Sequence, residues 1–241
     1  EAFPMAEAPV AHRLFALCAL LKLLTQGVEA TVEGAFSNSW ALPIQPPPKV
    51  VDFSERLLGN FLENNYGNAF GVILGVGNGR RALELLETWP HGVLFLVDPY
   101  IHLRRGYERP ENLQDDAHQR QYEDLRNYLY DAPGLQGRYS FAREFSFAVP
   151  HAWREKQWGP DPRFVLLDAN PSYGATRTDL LAWWPMLAEG GMMAGTNYST
   201  LGDGSVVGVR RAVDEFAVQQ GLQLFITNDP QEPAWILLKE G

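Results

Sequence analysis

The hydrophobic positions of the chain form short apolar runs separated by longer segments with helical periodicity. The apolar runs predict buried strands at 70–74, 92–97, 138–142, 163–167, 191–195, 222–227 and 234–239, of which the one at 138–142 is the weakest. Helical periodicity predicts helices at 50–64, 80–89, 117–130, 178–188 and 206–219. Continuously apolar strands that alternate with helices are typical of a parallel sheet covered by helices on both faces. We therefore predict a doubly wound α/β fold with a mostly parallel sheet, in which the last two strands form an antiparallel hairpin.

The first 48 residues have a different pattern. A helix-like stretch at 8–25 is followed by a polar segment and then by Pro46, Pro47 and Pro48. Consecutive prolines favour an extended conformation and end any helix. We place a domain boundary here, with residues 1–48 as an N-terminal helical extension with a proline-rich linker and residues 49–241 as the main domain.

The apolar stretch at 14–24 within this extension has two interpretations. It is shorter than the roughly 20 apolar residues that span a bilayer, and Lys22 interrupts it, so we expect no membrane-spanning helix. It is either an amphipathic helix that packs on the domain or docks on a protein partner, or a secretory or organellar leader preceded by His12 and Arg13. The sequence therefore predicts a soluble chain and leaves its compartment open between the cytoplasm and an organelle.

Composition and charge narrow the classes of function. Of the 241 residues, 46% are hydrophobic and 20% are charged, which is typical of a globular domain. The formal net charge of −9 argues against a nucleic-acid partner, because affinity for DNA or RNA depends on neutralising phosphates. The single cysteine cannot form an internal disulfide, and no cluster of cysteine and histidine residues is spaced for zinc.

Glycines and a carboxylate follow two predicted strands at the edge where doubly wound sheets bind ligands. Gly75, Gly77 and Gly79 come after the first of these strands, and Asp98 ends the next one. Glycine lets the backbone approach a ligand, and an aspartate at the second position can accept hydrogen bonds from both hydroxyls of a ribose. Arg80 stands where a dinucleotide-binding fingerprint needs its last glycine. Taken alone, the three glycines are therefore explained equally well by a tight turn between a strand and a helix. Together with Asp98, the loop predicts a nucleoside-binding site.

Motifs in the second half of the chain resemble those of one family. Residues 168–173 read D-A-N-P-S-Y, where the small class I S-adenosylmethionine-dependent methyltransferases have D-G-D-H-S-Y, and residues 190–191 match the G-G of the turn that follows. Residues 98–100, D-P-Y, are similar to that family's ribose segment. The resemblance covers about residues 50–240. It implies a seven-stranded sheet with a reversed last strand, S-adenosylmethionine as the cofactor and methyl transfer to a small-molecule substrate.

The resemblance also implies roles for individual residues. Residues implied to bind the cofactor are Gly75, Gly77, Gly79, Asp98, Phe145, Ser146 and Asp168. In this picture either Phe145 stacks on the adenine and Ser146 bonds to its edge, or Phe145 is only a half-buried aromatic side chain. Asp168 and Tyr173 are the catalytic candidates. Asp168 either accepts a proton from the methyl acceptor or orients the methionine amine, and Tyr173 either orients the substrate or packs at the rim.

Three positions depart from the pattern of the family. Ile73 stands where the family has an acidic residue, Pro171 replaces the motif histidine, and Thr196 replaces an aspartate of the cation site in catechol-type relatives. Because a hard dication prefers several charged oxygen ligands, we expect no metal site. The departures also keep a second hypothesis open, in which the chain is a non-catalytic, methyltransferase-like protein that acts as a binding or structural subunit of a larger assembly.

Overall fold

The computed structural model describes residues 46–53, 55–198, 207–229 and 233–241. The strands in these residues are β1 (Lys49–Val51), β2 (Phe70–Leu74), β3 (Val93–Val97), β4 (Tyr139–Ala142), β5 (Phe164–Leu167), β6 (Met192–Gly195), β7 (Leu224–Thr227) and β8 (Trp235–Leu238). The α-helices are α1 (Glu55–Tyr66), α2 (Arg80–Thr88), α3 (Asp115–Asp131), α4 (Val149–Lys156), α5 (Tyr173–Trp183) and α6 (Val207–Gln220). A short 3-10 helix, Trp184–Met186, continues from the end of α5.

The strands form one sheet with the order β1-β7-β8-β6-β5-β2-β3-β4. Neighbouring strands are parallel except for β8, which runs antiparallel to both β6 and β7. The prediction of a doubly wound, mostly parallel sheet that ends in an antiparallel hairpin is therefore confirmed. The chain builds outward from β2 to β4 and then returns to β5 on the other side of β2, so the carboxyl ends of β2 and β5 form the switch point of the sheet.

The sheet has eight described strands, where the resemblance implied seven. The additional strand is β1, which pairs in parallel with β7 at the edge. The sequence pattern assigned Val50 and Val51 to the first turn of a helix. In the structure Val51 is fully buried and Val50 is 53% exposed, which is the alternation of a half-buried edge strand.

Alternate residues of the central strands supply two separate hydrophobic cores. Val72 and Leu74 of β2 pack in the core that contains residues of α4, α5 and α6. Ile73 packs in the core that contains residues of α1, α2 and α3. Because successive strand residues point to opposite faces, an unbroken apolar run is what a sheet covered on both sides requires.

Two helices differ from the sequence prediction. Helix α5 begins at Tyr173, five residues earlier than predicted, because Ser172 caps it by accepting a hydrogen bond from the Ala175 amide at 3.3 Å. Helix α4 was not predicted. It has only eight residues, and Pro150 stands in its first turn, where the missing N–H costs no intrahelical bond.

The predicted domain boundary falls directly before β1 in the chain. The predicted helix at 8–25, the stretch at 14–24 and most of the extension lie outside the described residues, so the division at residue 48 stays a prediction. Among the helices that the structure describes, none has the length and hydrophobicity needed to cross a bilayer.

Candidate functional site

A cleft of about 990 Å³ opens at the carboxyl ends of the parallel strands, at the switch point of the sheet. Its wall includes the loop after β2, Asp98 after β3, Phe145 and Ser146 after β4, and Asp168 after β5. The structure thus brings together six of the eight predicted site residues, and Gly79 and Tyr173 lie outside the lining. Parallel strands place their carboxyl ends at one edge, which is why residues far apart in the chain meet there.

The segment between β3 and α3 covers one side of the cleft. Tyr107 and Arg109 from this segment line the cleft. The Asn112 side chain stiffens the segment by donating to the carbonyl oxygens of Leu103 and Tyr107, each at 2.8 Å. Asn170, on the opposite rim, donates to the carbonyl oxygen of Gly106 at 2.9 Å and links the segment to the strand ends.

The glycine loop, residues 75–79, requires glycine at each of the three predicted positions. Gly75, Gly77 and Gly79 have φ angles of 83°, 52° and 81°, in the left-handed region that side chains disfavour. Gly75 also lies against the backbone of Asp168 and Ala169, where a Cβ atom would come within 2.6 Å of the Ala169 Cα. The loop therefore brings the end of β2 into direct contact with the end of β5.

The carboxylate of Asp98 is bonded to the backbone of the glycine loop. Its Oδ2 accepts hydrogen bonds from the amides of Val76 at 2.9 Å and Gly77 at 3.0 Å, and its Oδ1 accepts one from the amide of Tyr100 at 2.8 Å. A carboxylate offers about four acceptor positions, so three are occupied by these amides. The sequence analysis expected Asp98 to accept from both hydroxyls of a ribose, whereas this arrangement leaves room on Oδ1 for one further donor.

Tyr100 supports the same loop from below. Its hydroxyl donates to the carbonyl oxygen of Gly77 at 3.0 Å, and its side chain is 2% exposed. Burial, followed by the charge of Asp98, raises the pKa of Tyr100 well above its ordinary value, so the hydroxyl keeps its proton and remains a donor. Asp98 and Tyr100 together fix the conformation of the loop.

Asp168 takes part in a network of side chains at the end of β5. Its Oδ2 lies 2.6 Å from Nε of Arg81, and its Oδ1 accepts a hydrogen bond from the hydroxyl of Thr196 at 2.7 Å. Asn197 in turn donates to the Thr196 hydroxyl oxygen at 2.9 Å. Both oxygens of the carboxylate are therefore engaged with neighbouring side chains.

This network does not fit the divalent cation of catechol-type methyltransferases. The two oxygens of Asp168 are held by a guanidinium and a hydroxyl, and Thr196 contributes no charge where an aspartate would be needed. Within the described parts of the chain, no three histidine, cysteine, aspartate or glutamate residues are grouped to hold a metal ion. Arg81 already supplies a positive charge to Asp168, so a cation would have to displace it.

The aromatic pair after β4 forms another wall of the cleft. The rings of Phe145 and Phe147 stack with their centroids 5.6 Å apart, and Ser146 between them also faces the cleft. The hydroxyl of Ser146 donates to Oδ1 of Asp179 at 2.5 Å. This apolar wall with one hydroxyl is suited to a flat heteroaromatic ring.

Tyr173 lies outside the lining of the cleft. Its hydroxyl donates to Oε2 of Glu215 on α6 at 2.5 Å, and the guanidinium of Arg211 lies 4.8 Å from the centre of its ring. The Glu215 bond, followed by partial burial, raises the pKa of Tyr173. The alternative of packing at the rim matches this geometry, and the catalytic role of Tyr173 stays a prediction that the geometry does not favour.

The sequence analysis missed three residues that face the cleft. Arg81 and Asp179 are ordinary helix positions in the sequence, and nothing in the spacing marks them as neighbours of Asp168 and Ser146. His118 on α3 is 8% exposed, and neither ring nitrogen has a hydrogen-bond partner among the described residues. The one signal for Asp179 was its place on the predicted helix that follows the D-A-N-P-S-Y motif.

Structural comparison places the chain among methyltransferases in fold. A Staphylococcus aureus protein assigned as a caffeoyl-CoA O-methyltransferase superimposes with a TM-score of 0.55 at 10% identity over 78% of this chain and 84% of the other. The O-methyltransferase TomG from Streptomyces achromogenes, in complex with S-adenosylmethionine, gives a TM-score of 0.53 at 14% identity over 78% and 80% of the two chains. Precorrin-6y C5,15-methyltransferase from Geobacter metallireducens gives 0.51 at 12% identity over 77% and 87%. At these identities the likeness is one of fold alone.

Sequence comparison with family models is more specific. No curated protein matches the chain significantly. The model of a methyltransferase-domain family matches residues 71–198, which is more than half of the chain and contains the glycine loop, Asp98, Ser146 and Asp168. The match runs from β2 to the residues just after β6, and on this basis the chain belongs to the methyltransferase-domain family.

Proposed function

We propose that the cleft binds S-adenosylmethionine and that the protein transfers its methyl group to a small-molecule acceptor. The observation that carries the proposal is the position of Asp98. Its carboxylate is held beside the glycine loop by three backbone amides, and one acceptor position on Oδ1 remains for a ribose hydroxyl. TomG, which has the same fold, is in complex with S-adenosylmethionine.

In this proposal the nucleoside of the cofactor lies along the wall from Asp98 to Ser146. The ribose contacts Asp98 and the backbone of the glycine loop. The adenine lies near Phe145, whose ring is available for stacking, and Ser146 contacts the edge of the base. His118 also lines the cleft, and its ring nitrogens, which have no hydrogen-bond partner among the described residues, would be satisfied by the bound ligand or by water.

The ion pair of Arg81 and Asp168 suits the methionine end of the cofactor. An α-amino acid carries an ammonium group and a carboxylate a few bonds apart, and this pair presents the complementary charges 2.6 Å apart. We assign Asp168 to the methionine amine and Arg81 to the carboxylate. This favours the positioning role of Asp168 over the role of proton acceptor, because taking up a proton would remove the charge that pairs with Arg81, whereas contact with an ammonium group keeps it.

Methyl transfer in this cleft would depend mainly on the alignment of the two reactants. The cleft of about 990 Å³ lies at the upper end of the size range of small-molecule sites. Holding two reactants in line can lower a barrier by roughly 7–11 kcal/mol. An acceptor whose nucleophilic atom needs no deprotonation, or one already ionised, fits a site in which Asp168 is paired with Arg81.

The second candidate function is a non-catalytic, methyltransferase-like subunit that keeps the cofactor site. It is favoured by the same ion pair and by the engagement of Tyr173 with Glu215, since these two predicted catalytic side chains are both held by other residues. A protein partner would then bind through the N-terminal extension. The two functions share the prediction of cofactor binding and differ in whether any acceptor is methylated.

Titration calorimetry with S-adenosyl-L-homocysteine tests the role of Asp98. Hydrogen bonds to a charged group are worth about 1.5–3 kcal/mol, so Asp98→Ala should weaken binding by roughly 10- to 150-fold. Asp98→Asn keeps an acceptor for part of the loop contacts and should have a smaller effect. Asp124→Asn removes an equal charge from the exposed face of α3 and serves as the control. Unchanged affinity in Asp98→Ala would contradict the proposed site.

A further inference from the structure

Two residues of α5 hold Ser146 from one side. Asp179 and Trp183 are four residues apart and therefore lie on the same face of the helix. The Asp179 carboxylate accepts the hydroxyl hydrogen of Ser146 at 2.5 Å, and the indole N–H of Trp183 donates to the Ser146 carbonyl oxygen at 3.0 Å. Trp183 is fully buried and Asp179 is 4% exposed, so this attachment is rigid.

The bond between Asp179 and Ser146 has a fixed direction. Burial raises the pKa of Asp179 to about 6, while the bond from Ser146 opposes the shift, so the carboxyl is ionised at neutral pH. An ionised carboxylate can only accept, and a serine hydroxyl has a single hydrogen to donate. Ser146 therefore gives its hydrogen to Asp179, and the hydroxyl offers only oxygen lone pairs to a ligand in the cleft.

We propose that Asp179 makes Ser146 an obligate hydrogen-bond acceptor toward the cleft, so that the site selects a nucleoside with a 6-amino purine over one with a 6-oxo purine. The exocyclic amine of adenine donates hydrogen bonds, and its hydrogen can point at the Ser146 oxygen. The 6-oxo group of hypoxanthine is an acceptor, so the two oxygens would face each other without a hydrogen between them. Asp179 is thus a positioning residue that acts on the ligand through Ser146. This inference rests on the proposed binding of an adenosine-containing cofactor.

The test compares three ligands that differ only at position 6 of the purine. The ligands are S-adenosyl-L-homocysteine, S-inosyl-L-homocysteine and the analogue with hydrogen at position 6. For the wild type, calorimetry should give about 10- to 100-fold weaker binding of the inosyl compound, with the 6-hydrogen analogue in between, because one bond is lost and a polar group is left unpaired.

Variants separate the role of Asp179 from that of packing. In Asp179→Ala the Ser146 hydroxyl is free to donate, so the preference for the adenosyl over the inosyl compound should fall to within about threefold, mainly because the inosyl compound binds better. Ser146→Ala should also lower the preference, but through weaker binding of the adenosyl compound. Asp124→Asn should keep the wild-type preference. Thermal unfolding of each variant is measured to check that the fold is retained.

The outcomes distinguish this inference from the proposed function. If the wild type binds neither S-adenosyl-L-homocysteine nor its analogues, the proposed function fails and this inference fails with it. If the wild type binds the adenosyl and inosyl compounds equally well, the cofactor site stands and the inference is overturned. A wild-type preference that persists in Asp179→Ala would likewise overturn it, because the selectivity would then come from another group.

Discussion

The two ends of the cleft are constructed from different kinds of contact. At the nucleoside end, which comprises the glycine loop and Asp98, a side chain is bonded to backbone amides. At the other end, called here the Asp168 end, which comprises Asp168, Thr196 and Asn197, the bonds join side chains to one another and to Arg81. Backbone contacts fix one conformation, whereas a network of side chains can exchange a member, such as aspartate for threonine, and still be satisfied. The glycine loop and Asp98 are therefore held in one conformation by backbone bonds, while at the Asp168 end the charges of Asp168 and Arg81 are paired with each other.

The two ends touch at Gly75, and a substitution there should have the largest effect. A Cβ atom at this position would meet the backbone of Asp168 and Ala169, and φ is already 83°. We expect Gly75→Ala to lower the free energy of unfolding by about 3–5 kcal/mol, from backbone strain and overpacking together. The matched control is Gly77→Ala, where φ is 52° and nothing lies within 4 Å of the added atom. Its cost should be about 1–2 kcal/mol from the left-handed conformation alone. Equal losses in urea unfolding would show that the contact between the ends is unimportant.

The buried, ionised carboxylate of Asp179 should destabilise the fold, whereas that of Asp98, which has three amide donors, should not. Asp98 has three amide donors, whereas Asp179 is buried with the Ser146 hydroxyl, and its pKa is raised from 3.8 to about 6. Because the folded state binds this proton more tightly, the favourable contribution is complete below pH 3.8 and is lost as the pH rises through about 6. We expect Asp179→Asn to raise the free energy of unfolding at pH 7.5 by on the order of 2 kcal/mol.

The pH dependence provides the control for this prediction. Near pH 4 the wild type has Asp179 protonated, so the variant and the wild type should unfold at nearly the same denaturant concentration. A stabilisation that is the same at pH 4 and pH 7.5 would contradict the electrostatic explanation, since an improvement in packing does not depend on protonation.

Variants at the Asp168 end can show which part of the cofactor it holds. If Arg81 and Asp168 bind the amino-acid group, then Arg81→Met and Asp168→Asn should each lower the affinity for S-adenosyl-L-homocysteine by about 10-fold, or about 1.4 kcal/mol. The affinity for 5′-methylthioadenosine, which lacks that group, should not change. Asp98→Ala should lower the affinity for both ligands, because both contain the ribose. An Asp168→Asn protein that binds S-adenosyl-L-homocysteine as tightly as the wild type would instead support a role as proton acceptor.

Tyr173 should contribute least to ligand binding. Its hydroxyl bonds to the half-buried Glu215 of α6, and neither residue belongs to the cleft lining. Tyr173→Phe should therefore leave the affinity for S-adenosyl-L-homocysteine within about twofold and lower the stability by about 1 kcal/mol or less. A loss of affinity of 10-fold or more would show that Tyr173 takes part in ligand binding.

The proximity of Asp98 to the glycine loop could be predicted from the sequence because the signals are local. Three glycines at alternate positions after an apolar strand, and an aspartate at the end of the next strand, identify a tight loop and a nearby carboxylate without knowledge of the rest of the fold. The doubly wound sheet then places them at one edge. Only the number of acceptor positions left on Asp98 required the atomic contacts.

The contacts at the Asp168 end could not be predicted in the same way because they join distant elements. Arg81 belongs to α2 and reaches Asp168 only because β2 and β5 are neighbours in the sheet. Asp179 lines the cleft because α5 packs beside the residues after β4. Tyr173 is the last residue of the family-like motif at 168–173. The direction of its side chain is set by the packing of α5 against α6, and no sequence pattern contains that information.

A calorimetric titration of the wild-type protein with S-adenosylmethionine and S-adenosyl-L-homocysteine tests whether the cleft binds the cofactor. We predict saturable binding of one molecule per chain, with competition between the two ligands for the same site. The protein must first be shown to be folded and free of bound nucleoside. No binding at ligand concentrations up to about 1 mM would then contradict the proposed cofactor site. A Kd in the millimolar range corresponds to about −4 kcal/mol.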